Sequence, residues 1–271
     1  MNNLFYLGET YIGYKKYRIL KIFGIKIKMG IKPKIIDGPN NKVCVKTEKG
    51  LKVLSEREVK NLNITIRVSG SDNEVVLDES VIKNGKNFNI DVSGIANKVK
   101  IGSIASISGN IEVSGNRHVV DLGNSNSLYN WIYIVCGCTN AGNENCTLKI
   151  GENCACGGLS IFLFQSNTSI EIGKECMFAA EIIMQSNDGH KIFDKATGEL
   201  LNQKPYKIEI GDHVWVGRRA TILKGAKVPS NSIVGYNAVV TGKFDEENVV
   251  LAGIPAKVIK HGIDWDIDNA F

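Results

Sequence analysis

Ile208-Glu-Ile-Gly-Asp-His-Val-Trp-Val-Gly-Arg-Arg-Ala-Thr-Ile-Leu-Lys-Gly-Ala-Lys-Val-Pro-Ser-Asn-Ser-Ile-Val-Gly-Tyr-Asn-Ala-Val-Val240 is the stretch from which the fold is read. Within it an aliphatic residue returns every six positions, at Ile210, Val216, Ile222, Val228, Val234 and Val240. The residue four places after each of the first five is small or aliphatic: Val214, Ala220, Ala226, Ser232 and Ala238. Gly211, Gly217 and Gly235 follow three of the anchors, and Pro229 follows a fourth. A helix returns to one face about every 3.6 residues and a strand every second residue, so neither singles out every sixth position. A chain that lays down a short strand and turns a corner every six residues does so, with three sides to a coil of about 18 residues. The expectation is an all-β parallel β-helix.

Toward the N-terminus the same architecture continues with looser spacing. Val68-Ser-Gly-Ser-Asp-Asn-Glu-Val-Val-Leu77 is echoed by Val92-Ser-Gly-Ile-Ala-Asn-Lys-Val-Lys-Ile101 and by Val113-Ser-Gly-Asn-Arg-His-Val-Val-Asp-Leu122. The copies are offset by 24 and 21 residues, and Ile150-Gly151 precedes Ile172-Gly173 by 22. Coils here are expected to be longer, with the extra residues at the corners. Gly70, Gly94 and Gly115, with Asn73 and Asn97, supply residues that accept positive φ at those corners. His118 takes the asparagine place in the third copy and reads as a turn residue rather than a catalytic one.

The repeat breaks once. After Ile172, apolar residues recur at Phe178 and Met184, and Gln185-Ser-Asn-Asp-Gly-His190 follows. Lys191 to Lys207 carries no hexad pattern, and the pattern resumes at Ile208. An excursion of this kind from a regular solenoid is a loop on one corner, and such insertions commonly form binding faces. His190 stands at its base. Of the four histidines it alone sits at an irregular loop beside a corner, whereas His213 lies between anchors and His261 in the tail.

The 271 residues are 43% hydrophobic and 23% charged, an ordinary globular composition. No stretch approaches the roughly 18 apolar residues needed to cross a bilayer, and the N-terminus lacks a secretory pattern, so a cytoplasmic protein that does not span a membrane is expected. Residues 1–60 carry 14 Lys/Arg against 5 Asp/Glu, whereas the other 211 carry 19 against 23. Residues 1–60 are therefore expected to form a small basic subdomain, 61–258 the β-helix with loop 191–207 inserted, and 259–271 a tail. A solvated surface explains the basic segment, and an anionic partner is the alternative. No recognition helix, zinc-finger spacing or aromatic-rich RNA motif is present, which argues against a nucleic-acid partner. The seven cysteines read as reduced thiols. Cys136/Cys138 and Cys154/Cys156 would stack if every coil were 18 residues long, and they read as small buried hydrophobes rather than metal ligands.

The stretch Ile208–Gly217, with Ala220–Ala226, Ile233-Val-Gly235 and the closing Ala252-Gly-Ile-Pro-Ala-Lys-Val-Ile-Lys260, resembles the hexapeptide-repeat acyltransferases, whose β-helix is left-handed. Asp188-Gly-His-Lys-Ile-Phe-Asp194, with Thr197-Gly-Glu199 and Asn202, is similar to the loop of members that O-acetylate bacterial capsular or lipopolysaccharide sugars, sialic acids among them. The left hand comes from the resemblance alone, since the usual crossover preference is right-handed. The resemblance implies acetyl-CoA as co-substrate, no metal, a sugar or polysaccharide acceptor and a homotrimer. It implies His190 as general base, a role that fits a side chain titrating near neutrality. It further implies acceptor contacts at Asn187 and Asp188, Trp215 at the thioester end of the coenzyme A groove with Arg218 beyond it, pantetheine contacts at Tyr236 and Thr241, and phosphate contacts at Lys257 and Lys260. Arg218 and Tyr236 replace residues that are usually small in that family. An N-acetyltransferase of a nucleotide-linked amino sugar and a non-enzymatic carbohydrate-binding solenoid are the alternative readings. A γ-type carbonic anhydrase is disfavoured by the lack of three suitably spaced histidines.

Overall fold

The computed structural model describes residues 4–12, 15–22, 25–30, 35–138 and 142–267. The chain divides into two units, Met1–Ile35 and Ile36–Phe271. In the first, strands Leu4–Ile12, Lys15–Ile22 and Ile25–Gly30 form a three-stranded antiparallel sheet. Residues 36–60 belong to the second unit rather than to a basic subdomain ending at residue 60, because Lys42–Thr47 pairs in parallel with Glu74–Asp78. Their strands were obscured in the sequence by the long, irregular corners between them.

The second unit is a parallel β-helix with three faces. One face is a column of parallel strands from Lys42–Thr47 through Glu74–Asp78, Lys98–Ile101, Val119–Leu122, Thr147–Ile150, Ser169–Ile172 and Lys207–Ile210 to Lys227–Val228. The long strands Gly85–Ile95, Ile104–Asn116 and Ser125–Gly137 run across both remaining faces. After them each coil breaks into two short strands. A second face then carries Ala155–Cys156, Met177–Phe178, Trp215–Val216 and Ile233–Val234, and a third carries Leu159–Leu163, Ile182–Gln185, Thr221–Leu223 and Val239–Val240.

The hexad anchors explain this packing. Ile210, Val216, Ile222, Val228, Val234 and Val240 are all buried, as are Val214, Ala220, Ala226, Ser232 and Ala238 between them. Large residues fill the sides and small ones the corners, which gives the prism its triangular section; each buried aliphatic contributes about 1.5–3 kcal/mol. Register sets coil length: Val75 pairs with Val99 and Val99 with Val120, while Ile170 pairs with Ile208 across the excursion and Glu209 with Lys227 in the regular 18-residue coil.

The corner between the third and first faces carries a ladder of side chains. Gly70, Gly94 and Gly115 have positive φ there, as expected, but Asn73 and Asn97 do not; Asp72, Ala96 and Arg117 before the ladder residues take that conformation. The asparagines turn inward instead. Asn97 N–H donates to Asn73 Oδ1 at 2.9 Å, and His118 N–H donates to Asn97 Oδ1 at 2.9 Å. His118 repeats the pattern with a ring: Nδ1 accepts from Cys146 N–H at 3.0 Å and Nε2 donates to Ser114 O at 3.2 Å. Beyond it Thr168 Oγ1 donates to Gln165 O and Ser186 Oγ donates to Thr168 Oγ1, so the ladder ends one residue before Asn187.

Cys136 and Cys156 lie buried in different columns, with Cys136 paired to Leu163 and Cys156 to Tyr129 and Phe178, so the two Cys-x-Cys pairs do not stack. The intervening coil is longer than 18 residues, which moves them out of register. His118, Cys136 and Cys146 do bring three ligand-type atoms within 4.8 Å of one another. Both ring nitrogens of His118 are already bonded to the backbone, so this cluster serves the ladder.

Antiparallel strands close two columns of the stack. Gly50–Val53 runs back along Lys42–Thr47, and Ala256–Lys260 runs back along Val250–Gly253.

Candidate active site

The excursion leaves the third face after Ile182–Gln185 and rejoins the first face at Lys207–Ile210. It is pinned to the next coil from inside. Lys224 Nζ forms a short ion pair with Asp188 Oδ2, and Asn202 Nδ2 donates to the same oxygen at 2.9 Å. Asn202 Nδ2 also donates to His190 O at 2.7 Å, so the clasp fixes the backbone that carries the imidazole. Tyr206 lies under the same ammonium, 5.0 Å from Nζ to the ring centroid. Burial acts to raise the Asp188 pKa, but the Lys224 and Asn202 hydrogen bonds and the Lys224 charge outweigh it, holding the carboxyl below its ordinary range. Asp188 thus organises the loop and makes no bond to the His190 ring among the described residues.

His190 is set apart from the other histidines by what its ring does not touch. The His118 ring is committed to the ladder, His213 Nε2 meets Trp265 O at 3.0 Å, and His261 Nδ1 meets Glu246 at 2.8 Å. Among the described residues the His190 ring has no such partner. It lines a cavity of about 450 Å³ together with Asn187, Asp188, Asn143, Gln165 and Phe164. Amide side chains dominate this wall, an environment suited to hydroxyl-rich ligands. Asn143 Oδ1 and Asn187 Oδ1 are buried there without a hydrogen-bond partner.

No protein-family model matches the chain. A polysialic acid O-acetyltransferase of Neisseria meningitidis is 34% identical over 177 residues, covering 65% of this chain and 78% of that protein. The chain belongs to the hexapeptide-repeat O-acetyltransferases. It is an acyltransferase. A putative lipopolysaccharide biosynthesis O-acetyl transferase of Escherichia coli K12 is 30% identical over 136 residues, covering 43% of this chain and 69% of that one. Among solved structures, the polySia-specific acetyltransferase NeuO superposes with a TM-score of 0.55 at 22% identity, covering 87% of this chain and 89% of that chain. The fold of this O-acetyltransferase is the left-handed parallel β-helix.

The remaining expected site residues of the O-acetyltransferase fall on other parts of the prism. Trp215 lies on the second face, paired with Met177 and Ile233, and its ring is 6.2 Å from Trp265 of the tail. Trp265 itself stacks on His213 at 4.3 Å and donates Nε1–H to His213 O, so the tail packs on the corner beside Trp215. Lys257 and Lys260 are exposed on the strand Ala256–Lys260, whose partner Val250–Gly253 continues the Trp215 column through Ile233. Arg218 and Tyr236 both lie at the corner between the second and third faces. Arg218 and Arg219 both bind Glu181, and Arg219 Nη1 donates to Tyr236 Oη at 3.1 Å. The two arginines hold the Glu181 carboxyl below its ordinary range through their hydrogen bonds and charge, the Arg219 bond foremost. Thr241 is exposed on the same corner as the excursion, two coils along from His190.

The structure therefore gathers Asn187, Asp188 and His190 into one cavity and sets Trp215, Lys257 and Lys260 along a different face. Asn143, Lys224, Glu181 and Arg219 escaped sequence reading. Lys224 carries the only prior signal, a charge inside the regular hexad that begins at Ile222.

Proposed function

We propose that the protein transfers an acetyl group from acetyl-CoA to a hydroxyl of a bacterial surface glycan, a capsular or lipopolysaccharide sugar, in the cytoplasm, with His190 as general base. The observation that carries the reading is the uncommitted His190 ring at an amide-lined cavity, fixed from behind by Asn202, Asp188 and Lys224. The relatives named for polysialic acid and lipopolysaccharide O-acetylation support the choice of acceptor. In the reaction His190 takes the acceptor hydroxyl proton as the oxygen attacks the thioester carbonyl carbon. A carbon–oxygen bond forms, the carbon–sulfur bond breaks, and the imidazolium returns its proton to the departing coenzyme A sulfur.

Acetyl-CoA would lie along the Trp215 column, with its phosphates toward Lys257 and Lys260, its thioester at Trp215, and Arg218 and Tyr236 at the corner beside it, while Thr241, on the His190 corner, would meet it from the chain that supplies the imidazole. Because His190 and the Trp215 column occupy different sides of one prism, a second copy is needed to bring them into one groove. This supports a homotrimer in which each site is shared between neighbours.

The test is acetyl transfer from acetyl-CoA to oligosialic acid, capsular polysaccharide and lipopolysaccharide, with the product located by NMR. His190→Ala should lower kcat by about 10²–10⁴-fold while the thermal stabilisation by coenzyme A persists. Transfer at wild-type rate by His190→Ala overturns the general base, and transfer only to an amino sugar nucleotide overturns the acceptor.

A further inference from the structure

The corner between the first and second faces is turned in successive late coils by Asn153, Glu175, His213, Asn231 and Asn248, all in the left-handed region at φ between 53° and 60°. From Glu175 on, the N–H of each donates to the carbonyl of the residue just before its counterpart in the preceding coil, so these places are equivalent. Asparagine accepts this conformation at little cost, and three of the five coils use it. His213 turns the corner no better, so its ring answers to another contact. The Trp265 indole stacks on it at 4.3 Å with the planes 11° apart. The two residues also exchange hydrogen bonds: His213 Nε2–H donates to Trp265 O at 3.0 Å and Trp265 Nε1–H to His213 O at 2.9 Å.

A second corner residue grips the same segment. Asn248 Nδ2 donates to Ile263 O at 3.0 Å, and Ile263 N–H donates to Asn248 O at 2.9 Å. Four hydrogen bonds thus hold residues 261–267, which form neither helix nor strand. Closing the column does not require them, because Ala256–Lys260 already runs back along Val250–Gly253. What they do is stand the half-buried Trp265 ring 6.2 Å from Trp215, at a tilt of 43°. Trp215 is the one aromatic in the row Ala155, Met177, Trp215, Ile233 and Val250, and it is 36% exposed. An indole exposed to that degree has rotamer freedom to lose when a ligand settles on it, and a fixed aromatic neighbour removes that freedom beforehand.

We propose that Trp265 is a positioning residue for the acetyl donor: held by His213 and Asn248, it fixes the Trp215 indole in the orientation that receives the thioester end of coenzyme A. The proposal rests on the placing of acetyl-CoA along the Trp215 column in the reading above, and it adds the segment that prepares that column. Because Trp265 acts through Trp215, its effect should disappear when Trp215 is absent.

Calorimetric titration with coenzyme A, run beside the transfer assay, tests this. Trp265→Ala should weaken coenzyme A roughly three- to ten-fold, the effect of leaving one side chain for the ligand to immobilise. His213→Asn, which installs the residue that three other coils carry at this corner, should weaken it to the same extent. Trp265→Phe keeps a ring on His213 and should restore most of the loss. In a Trp215→Ala background, Trp265→Ala should add no further weakening. The rise should fall on the KM for acetyl-CoA, with the acceptor KM and kcat at saturating donor unchanged. A merely structural role would instead lower the melting temperature and raise both KM values together. Wild-type coenzyme A affinity in Trp265→Ala, an equal further loss without Trp215, or a joint rise of both KM values overturns the proposal. Failure of the wider reading looks different: a full effect of Trp265→Ala on coenzyme A in a protein that acetylates no glycan keeps the positioning role and removes the acceptor. A wild type that binds no coenzyme A removes the positioning role.

Discussion

At His118 a single residue shows how chemistry can be preserved while residue type changes. An asparagine rung offers an acceptor to the next coil and a donor to its own, and the imidazole divides the same two tasks between Nδ1 and Nε2. His118→Asn should therefore cost less than about 1 kcal/mol, because both bonds can be remade. His118→Ala leaves Cys146 N–H and Ser114 O buried and unpaired, at roughly 1–3 kcal/mol for each orphaned group. Urea denaturation of the three proteins distinguishes the cases, and an alanine variant as stable as the asparagine one would remove the ladder from the account. Reading His118 as occupying an asparagine place was within reach of the sequence, since the third copy aligns it there. That the place is an inward rung was not, because Asn73, Asn97 and His118 are bonded across coils and no local pattern records such contacts.

Coils are the elements of this fold, and their legibility follows their regularity. From Ile210 on, each anchor must enter a core of fixed section every sixth residue, so the period is written directly in residue size. Between Ile36 and Asn61 the corners lengthen, the period is lost, and the sequence gives no sign that Lys42–Thr47 joins the stack. The candidate site was half legible for the same reason. His190 marks itself by standing where the repeat breaks, whereas Asn143 reaches the cavity from two coils away. Glycines at the corners divide into two kinds. A Cβ on Gly94, at φ +110°, would fall 1.8 Å from Gly115 O, while one on Gly50, at φ +111°, would meet nothing within 4 Å. Gly50→Ala should cost only the backbone strain, about 1–3 kcal/mol. Gly94→Ala adds a clash with the next coil and should cost at least about 3 kcal/mol more, or prevent folding. Equal melting temperatures for the two variants would show that the coils can separate to admit a methyl group.

For the whole molecule, the separation of His190 from the Trp215 column makes assembly part of the proposed chemistry. A solution mass near three times 29.6 kDa is expected. Co-refolding His190→Ala with Trp215→Ala should restore part of the activity, because some grooves then combine an intact imidazole from one chain with an intact tryptophan from the next. Mixtures that stay inactive despite proven subunit exchange would place both functions on one chain.

The two antiparallel strands that close the stack also bear on how long the object can grow. A column of parallel strands ends in a row of unpaired N–H and C=O groups, a template for another copy of the same column. Val250–Gly253 would present such a row if Ala256–Lys260 did not run back along it. Because the cross-section repeats coil after coil, a bare end would match the opposite end of another molecule in both shape and hydrogen-bond spacing. Truncation after Gly253 should thus convert a particle of fixed size into one that lengthens end to end, seen as concentration-dependent light scattering and as threads one prism wide by electron microscopy. A truncated protein that keeps the wild-type mass at high concentration would mean that the reversed strand does not act as a stop. If the threads form, those few residues are what makes this repeating structure finite.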